Sequence, residues 1–183
     1  MSFFNFKKPG SGDLEPFVKS QSTQTVTYDG PLEPTSGFSF TQKRWPVGDG
    51  PEVFAKAVLG LEAWAVYPSW MTLYPTHAPL HKGTVVALVA GIPVWTLSAV
   101  RIIDVENTPQ QFSFTLGTLP QHAVSGCERF SVFLDEQEKV WYELTALSKP
   151  QHPLVKLVTP VLRLVQARFA EDSVRSLKHF CNR

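Results

Sequence analysis

Residues 117–150 contain two consecutive stretches in which apolar and polar side chains alternate with a period of two. This alternation is typical of β-strands, because successive side chains point to opposite faces of a sheet. A short polar turn at residues 135–139 predicts that the two strands pair as an antiparallel hairpin. The more apolar face of the first strand begins with a carboxylate, Glu128, and the hairpin pairing places this acid opposite Ala146. The stretch therefore predicts a sheet whose buried face carries one acid.

The rest of the chain supplies further strands and two helices. Residues 37–48 are predicted to form the first strand, and a helix is expected to begin at Pro51, since proline is favoured at the first helical position. A run of about six strands with short connections follows, which implies an antiparallel sheet. From Pro160 onward, apolar residues recur at a period of 3.6, which predicts one long helix with a single buried stripe.

This order of elements predicts an α+β fold in which one curved antiparallel sheet grips a long C-terminal helix. A single helix cannot fill the concave side of such a wide sheet, so an internal cavity is expected. Residues 1–36 are rich in Gly, Ser, Thr and Pro and show little periodicity. They are predicted to form an irregular N-terminal arm, and residues 37–183 are predicted to form a single domain.

Composition excludes several classes of function. Lys and Arg (17) nearly balance Asp and Glu (16), so nucleic-acid binding is not expected. The sequence has no secretory signal and no apolar run near the roughly 20 residues that span a bilayer, which favours a cytoplasmic location without an integral membrane segment. His77 and His81 are separated by Pro79 and have no third ligand nearby, so neither a metal site nor a cofactor is expected. Oligomeric state cannot be inferred.

The predicted concave face brings together a candidate ligand site. Strand pairing places Arg101 on this face, two strands from Glu128, so the two side chains are expected to form a polar anchor in an otherwise apolar pocket. The alternatives are a buried ion pair that only fixes the sheet, or a register slip that puts Arg101 in water. Tyr142 shares the face and needs a partner for its hydroxyl. Aromatic residues are expected to line the pocket, although they would equally fill a core: Trp64, Trp95, Phe114 and Phe130.

His122 lies in the loop before the hairpin. It is a candidate ligand contact or general base, and the alternative is an imidazole that fixes the loop through backbone hydrogen bonds. No residue is assigned a catalytic role.

Several strings in the chain resemble a known family. The most specific is G-T-L-x-x-H-x-x-x-G-x-E-x-F, which begins at Gly117 and ends at Phe130, and a Ser-Lys-Pro string at 148–150 and Gln166 add to it. The sequence resembles the family catalogued as the domain of unknown function DUF1990 and as UPF0548. That family usually has two glutamates after the glycine, whereas this chain has Cys127 first, on the face opposite Glu128. The resemblance implies a helix-grip, START-like or Bet v 1-like architecture and no established ligand.

Three functions are compatible with these patterns. The first is a non-enzymatic protein that binds a small hydrophobic or lipid-like molecule. The second is a cyclase or isomerase that uses Glu128 as acid or base, assisted by Tyr142 or His122. The third is an interaction module in which the aromatics only form the core. The sequence contains no nucleophile–base–orienter trio and no phosphate-binding loop, which favours the first function over the second.

Overall fold

The computed structural model describes residues 4–5, 7–91, 95–151, 155 and 159–183. Within these residues, eight strands form one antiparallel sheet. They are β1 (Phe4–Asn5), β2 (Ser39–Asp49), β3 (Met71–Tyr74), β4 (Val85–Gly91), β5 (Trp95–Thr108), β6 (Gln111–Thr118), β7 (Val124–Leu134) and β8 (Lys139–Pro150). Their spatial order is β2-β8-β7-β6-β5-β4-β3, and β1 pairs with β5. The helices are α1 (Ser11–Gln21), α2 (Pro51–Glu62) and α3 (Thr159–Cys181).

The long helix α3 lies against the concave face of the curved sheet, as the sequence predicts. Only its second half is buried there, beginning at Phe169 and ending at Cys181. Helix α2 packs beside it so closely that a β-carbon on Gly60 would lie 2.6 Å from Leu177 Cδ1. The side chains of α2, α3 and the concave face together form the main hydrophobic core. The predicted α+β fold is confirmed.

Helix α1 corrects the prediction of an irregular arm, which is wrong for residues 11–21. Leu14 and Phe17 of this helix are buried against the convex face of the sheet, next to Leu97 and Ala99 of β5. The helix is short and contains Pro16, whose missing N–H weakens any sequence signal for a helix. Its stability therefore depends on contacts with strands that lie far away in the sequence.

A β-bulge in β5 decides which side chains face the core. Ile102 pairs with Leu116 and Asp104 pairs with Thr115, so Ile103 is an extra residue. An extra residue reverses the inward–outward alternation of the strand on its two sides. Arg101 consequently lies on the convex face, whereas the sequence places it on the concave face because the alternation is read without the bulge.

Candidate functional site

Glu128 occupies an inward-facing position near the start of β7. It pairs with Leu116 of β6 and with Ala146 of β8, which is the predicted pairing. Water reaches part of its side chain, yet protein surrounds the carboxyl group closely enough that burial raises its pKa to about 7. Both observations fit a carboxyl group in a recess of the concave face. No hydrogen bond or ion pair to its carboxylate occurs within the described residues.

Two tyrosine hydroxyl groups lie near this carboxylate. The Tyr142 hydroxyl is 2.6 Å from Ser173 Oγ of α3, so both groups are paired, as the sequence requires for a buried tyrosine. The Tyr67 hydroxyl is buried and has no hydrogen-bond partner among the described residues. Burial raises the pKa of Tyr67 well above its usual value, and the charge of Glu128 raises it further. Tyr67 lies outside any helix or strand, so no periodicity marks it in the sequence.

The aromatic side chains around this site pack tightly on one another. The rings of Phe114 and Phe130 are stacked with centroids 5.0 Å apart, and Trp64 meets Phe114 edge-on at 5.2 Å. The Trp64 Nε1–H donates to the Ala78 carbonyl at 2.8 Å. Trp64, Phe114, Phe130 and Tyr142 are therefore brought together on the concave face as predicted. They form the core beneath the site, and their contact with a ligand remains a prediction.

Two residues of the predicted site lie on the other side of the sheet. Arg101 Nη2 donates to the Ser22 carbonyl at 2.7 Å and so holds the end of α1. Trp95 belongs to the hydrophobic cluster beneath α1, with the Lys8 ammonium 5.4 Å from its ring. The predicted anchor between Arg101 and Glu128 is therefore wrong, because the β5 bulge separates the two side chains by the thickness of the sheet.

The residues of the G-T-L string build the turn that positions Glu128. Gly126 has a φ of +153°, and a β-carbon there would collide with the Leu147 carbonyl oxygen of β8. The Gly126 N–H donates to Thr118 Oγ1 at 2.9 Å, and Thr118 Oγ1 donates to the Gly126 carbonyl at 3.1 Å. These bonds fix the β6–β7 connection two residues before the acid. The string thus specifies backbone geometry more than chemistry.

His122 fixes the same turn through its ring. Its Nδ1 accepts a hydrogen bond from the Val124 N–H at 3.2 Å, which requires an unprotonated Nδ1. Burial lowers the pKa of His122 to about 4, so the ring is neutral at physiological pH. This geometry corresponds to the backbone-fixing alternative for His122. The structure gives the imidazole no contact with Glu128.

An open groove of about 430 Å³ lies between the sheet and the first half of α3. Residues 159–168 of α3 include no buried side chain, and their contacts with the sheet include Leu162 against Val124 and a hydrogen bond that Gln166 Nε2 donates to Ser148 Oγ at 3.4 Å. The expected hollow is therefore a groove open on one side. Its lining combines apolar, hydroxyl and cationic residues: Gly37, Phe38, Ser39, Val124, Ser148, Lys149, Pro150, Thr159, Leu162, Arg163 and Gln166. The Ser-Lys-Pro string and Gln166, which contribute to the family resemblance, all belong to this lining.

Glu128 is close to the groove but is not part of its lining. Ser148 of the lining and Ala146 opposite Glu128 are successive inward residues of β8, about 7 Å apart. Glu128, Ala146 and Thr41 lie side by side on three adjacent strands, and Thr41 belongs to the edge strand β2. All three residues are accessible to water. An accessible strip thus connects the sheet edge and the groove with Glu128.

A curved antiparallel sheet closed by a C-terminal helix defines a fold of the helix-grip, Bet v 1-like type. Two solved structures share this fold. The hypothetical protein jhp0584 from Helicobacter pylori has a TM-score of 0.59 at 11% identity, over 86% of this chain and 99% of that one. The Zhui aromatase/cyclase from Streptomyces has a TM-score of 0.58 at 13% identity, over 80% and 94%.

The chain belongs to the DUF1990 family, whose model, described as a domain of unknown function, matches residues 21–176. A UPF0548 protein of Arabidopsis thaliana is 31% identical over 170 residues, which cover 88% of this chain and 82% of the plant protein. A UPF0548 protein of Dictyostelium discoideum is 27% identical over 202 residues, covering 95% and 94%. The resemblance expected from the sequence is confirmed.

Within the described part of the chain, no helix is both long and apolar enough to cross a membrane. No group of three or more His, Cys, Asp or Glu side chains there is arranged to hold a metal ion.

Proposed function

We propose that the protein binds a small hydrophobic or lipid-like molecule between the sheet and α3, and that Glu128 contacts an uncharged polar group of that molecule. One observation carries the proposal: Glu128 is enclosed in an aromatic-rich face, is reachable by water and has no partner among the described residues. Enclosing a carboxyl group without a partner opposes folding, so a site that keeps one is a candidate binding site.

The raised pKa of Glu128 defines the chemistry that it offers. With a pKa of about 7, the carboxyl group is present in both protonation states near neutral pH. The protonated form donates a hydrogen bond to a ligand carbonyl, and the ionised form accepts one from a ligand hydroxyl. The unpaired Tyr67 hydroxyl offers a second donor or acceptor beside it. Together they favour a hydroxyl or carbonyl group over a charged one.

The groove supplies the room and the apolar wall for such a ligand. Its volume of about 430 Å³ lies within the range of roughly 300–1,000 Å³ that small-molecule sites occupy. Val124, Leu162 and Phe38 give the wall its apolar surface. A ligand lying in the groove reaches Glu128 by extending one residue pair further along β7 and β8.

Native mass spectrometry of protein purified from its own host tests the proposal. We expect an adduct of a few hundred daltons that is released on denaturation and extracted by organic solvent. Glu128→Gln should reduce the bound fraction, whereas Glu136→Gln, the same change in the exposed β7–β8 turn, should leave it unchanged. Protein without adduct that also takes up no ligand from a host lipid extract would contradict the proposal and favour an interaction module.

A second candidate function is an enzyme of the cyclase or isomerase type. The observation that favours it is again the Glu128 pKa of about 7, since a general acid or base acts best near the working pH. The ligand that native mass spectrometry identifies provides the test. Conversion of that ligand by wild type, with retained binding and lost conversion in Glu128→Gln, would establish an enzyme. Binding without conversion would establish a binding protein.

A further inference from the structure

We infer that the molecule bound in the groove is an amphiphile with an anionic head group, which Lys149 and Arg163 hold at the mouth. This inference rests on the proposed function and specifies its ligand class. It follows from the charge of the groove lining, whose described residues include these two cations and no carboxylate. Both side chains are exposed, and both residues belong to the groove lining, one at the end of β8 and one on α3.

Arg163 is available to bind an anion. Within the described residues it has no hydrogen bond and no ion pair. The other arginine side chains all have acceptors there, namely Arg44 with Glu143, Arg101 with Ser22, Arg129 with Asp104, Arg168 and Arg175 with Asp172, and Arg183 with His179. A planar guanidinium without an acceptor suits a carboxylate or phosphate, which it contacts through two parallel hydrogen bonds.

Lys149 likewise makes no ion pair with a carboxylate in the part of the chain that the structure describes. Its ammonium lies 4.5 Å from the centroid of the Phe38 ring, which is a cation–π contact with another lining residue. A contact with a ring face occupies no hydrogen-bond acceptor, so the ammonium protons remain available for a ligand. Lys149 and Arg163 thus present two uncompensated positive charges at one end of the site.

The opposite end of the site disfavours an anion. Glu128 lies beyond the groove wall, and a second negative charge there would repel its ionised form. Positive charge at the mouth and an acid at the inner end therefore orient a ligand with its anionic head outward. The apolar part then contacts the small hydrophobic cluster that joins Val124 of β7 to Leu162 of α3. On the same half of α3, Leu164 remains 70% exposed and extends this apolar surface.

A set of probes with one chain length tests the head-group preference. Dodecanoate, dodecyl phosphate, dodecanol and dodecyltrimethylammonium are titrated below their micelle concentrations into the full chain, and tryptophan fluorescence is followed at low and moderate salt. Inorganic phosphate alone forms a further arm. The two anionic amphiphiles should bind roughly tenfold more tightly than dodecanol, and dodecyltrimethylammonium should bind least. Raising the salt should narrow these differences.

Single substitutions test whether Lys149 and Arg163 cause the preference for anionic head groups. Lys149→Gln and Arg163→Gln should each weaken the anionic probes by roughly threefold to tenfold and leave dodecanol unchanged. The control is Arg175→Gln, the same charge change on α3 about 18 Å further along the helix. It should leave every affinity unchanged, because Arg175 is paired with Asp172 and lies outside the groove.

The outcomes separate the two levels of the proposal. Equal affinity for all head groups, together with weaker binding in Glu128→Gln, would contradict the preference for an anionic head group. The proposed function would still stand. If inorganic phosphate displaces dodecyl phosphate at an equal concentration, the inference of an amphiphilic ligand is wrong, because the site then binds a bare anion. If no probe binds wild type and the purified protein carries no ligand, both inferences fail.

Discussion

Replacing Glu128 by glutamine should stabilise the folded protein, and the gain should depend on pH. The unfolded chain releases the Glu128 proton near the ordinary pKa of 4.5, whereas the folded protein retains it up to about pH 7. Between these values the folded state binds more protons, so the stability of wild type decreases as the pH rises. Below 4.5 the carboxyl group is neutral in both states and the substitution should have little effect.

The size of the effect follows from the two pKa values. Each unit of pKa difference corresponds to 1.36 kcal/mol, so a change from 4.5 to about 7 represents about 3 kcal/mol above neutral pH. Because water reaches part of the side chain, we expect about 2–3 kcal/mol. In a chain of this length that gain raises the Tm by roughly 5–10 °C.

Urea unfolding followed by tryptophan fluorescence from pH 4.5 to pH 8.5 measures this dependence. The difference in unfolding free energy between Glu128→Gln and wild type should rise from near zero to a plateau above pH 7. Glu136→Gln, in the exposed turn, should show no such rise. A difference that stays constant with pH, or a variant less stable than wild type at pH 8, would refute the assignment of Glu128 as an enclosed acid without a partner.

Three further predictions concern Gly126, the two buried tyrosines and Arg101. Gly126→Ala should destabilise the fold by about 3 kcal/mol or more, because its β-carbon meets a backbone carbonyl; Gly37→Ala, which also has positive φ but an open environment, should lose only about 1–2 kcal/mol in urea unfolding. Tyr142→Phe should lower the unfolding free energy by about 1–2 kcal/mol because it orphans a buried serine hydroxyl, whereas Tyr67→Phe should be neutral; a large loss at Tyr67 would show that its hydroxyl has a partner. Arg101→Gln should speed amide hydrogen exchange in α1 and leave ligand binding unchanged; weaker binding would restore a role for it in the site.

The pH dependence and the proposed function have the same physical origin. An enclosed carboxyl group lowers stability unless a partner satisfies it, and a ligand that supplies the partner recovers part of that free energy. A ligand that binds the protonated form of Glu128 raises its pKa further, so binding takes up protons near neutral pH. A binding assay at two pH values therefore reports on which protonation state of Glu128 contacts the ligand.

The alternation of residues 124–150 was sufficient to predict the β7–β8 hairpin and the inward position of Glu128. Side chains within one hairpin depend only on local alternation and on the length of one turn, both of which are visible in the sequence. The pairing of Glu128 with Ala146 was accordingly predicted correctly. The long helix at the C-terminus was also predictable, because its apolar stripe contains many repeats.

The tertiary structure decides the orientation of Arg101, the formation of α1 and the formation of the groove. A single extra residue at Ile103 reverses one half of β5, and nothing in the local alternation marks it. Helix α1, which ends at Gln21, forms against strands that begin at Met71 or later in the sequence, so its own propensity does not predict it. The groove requires the end of β8 to lie near the first half of α3. Such contacts join segments that are distant along the chain, and their geometry is set by how the curved sheet and the helices pack, which the sequence pattern alone does not record.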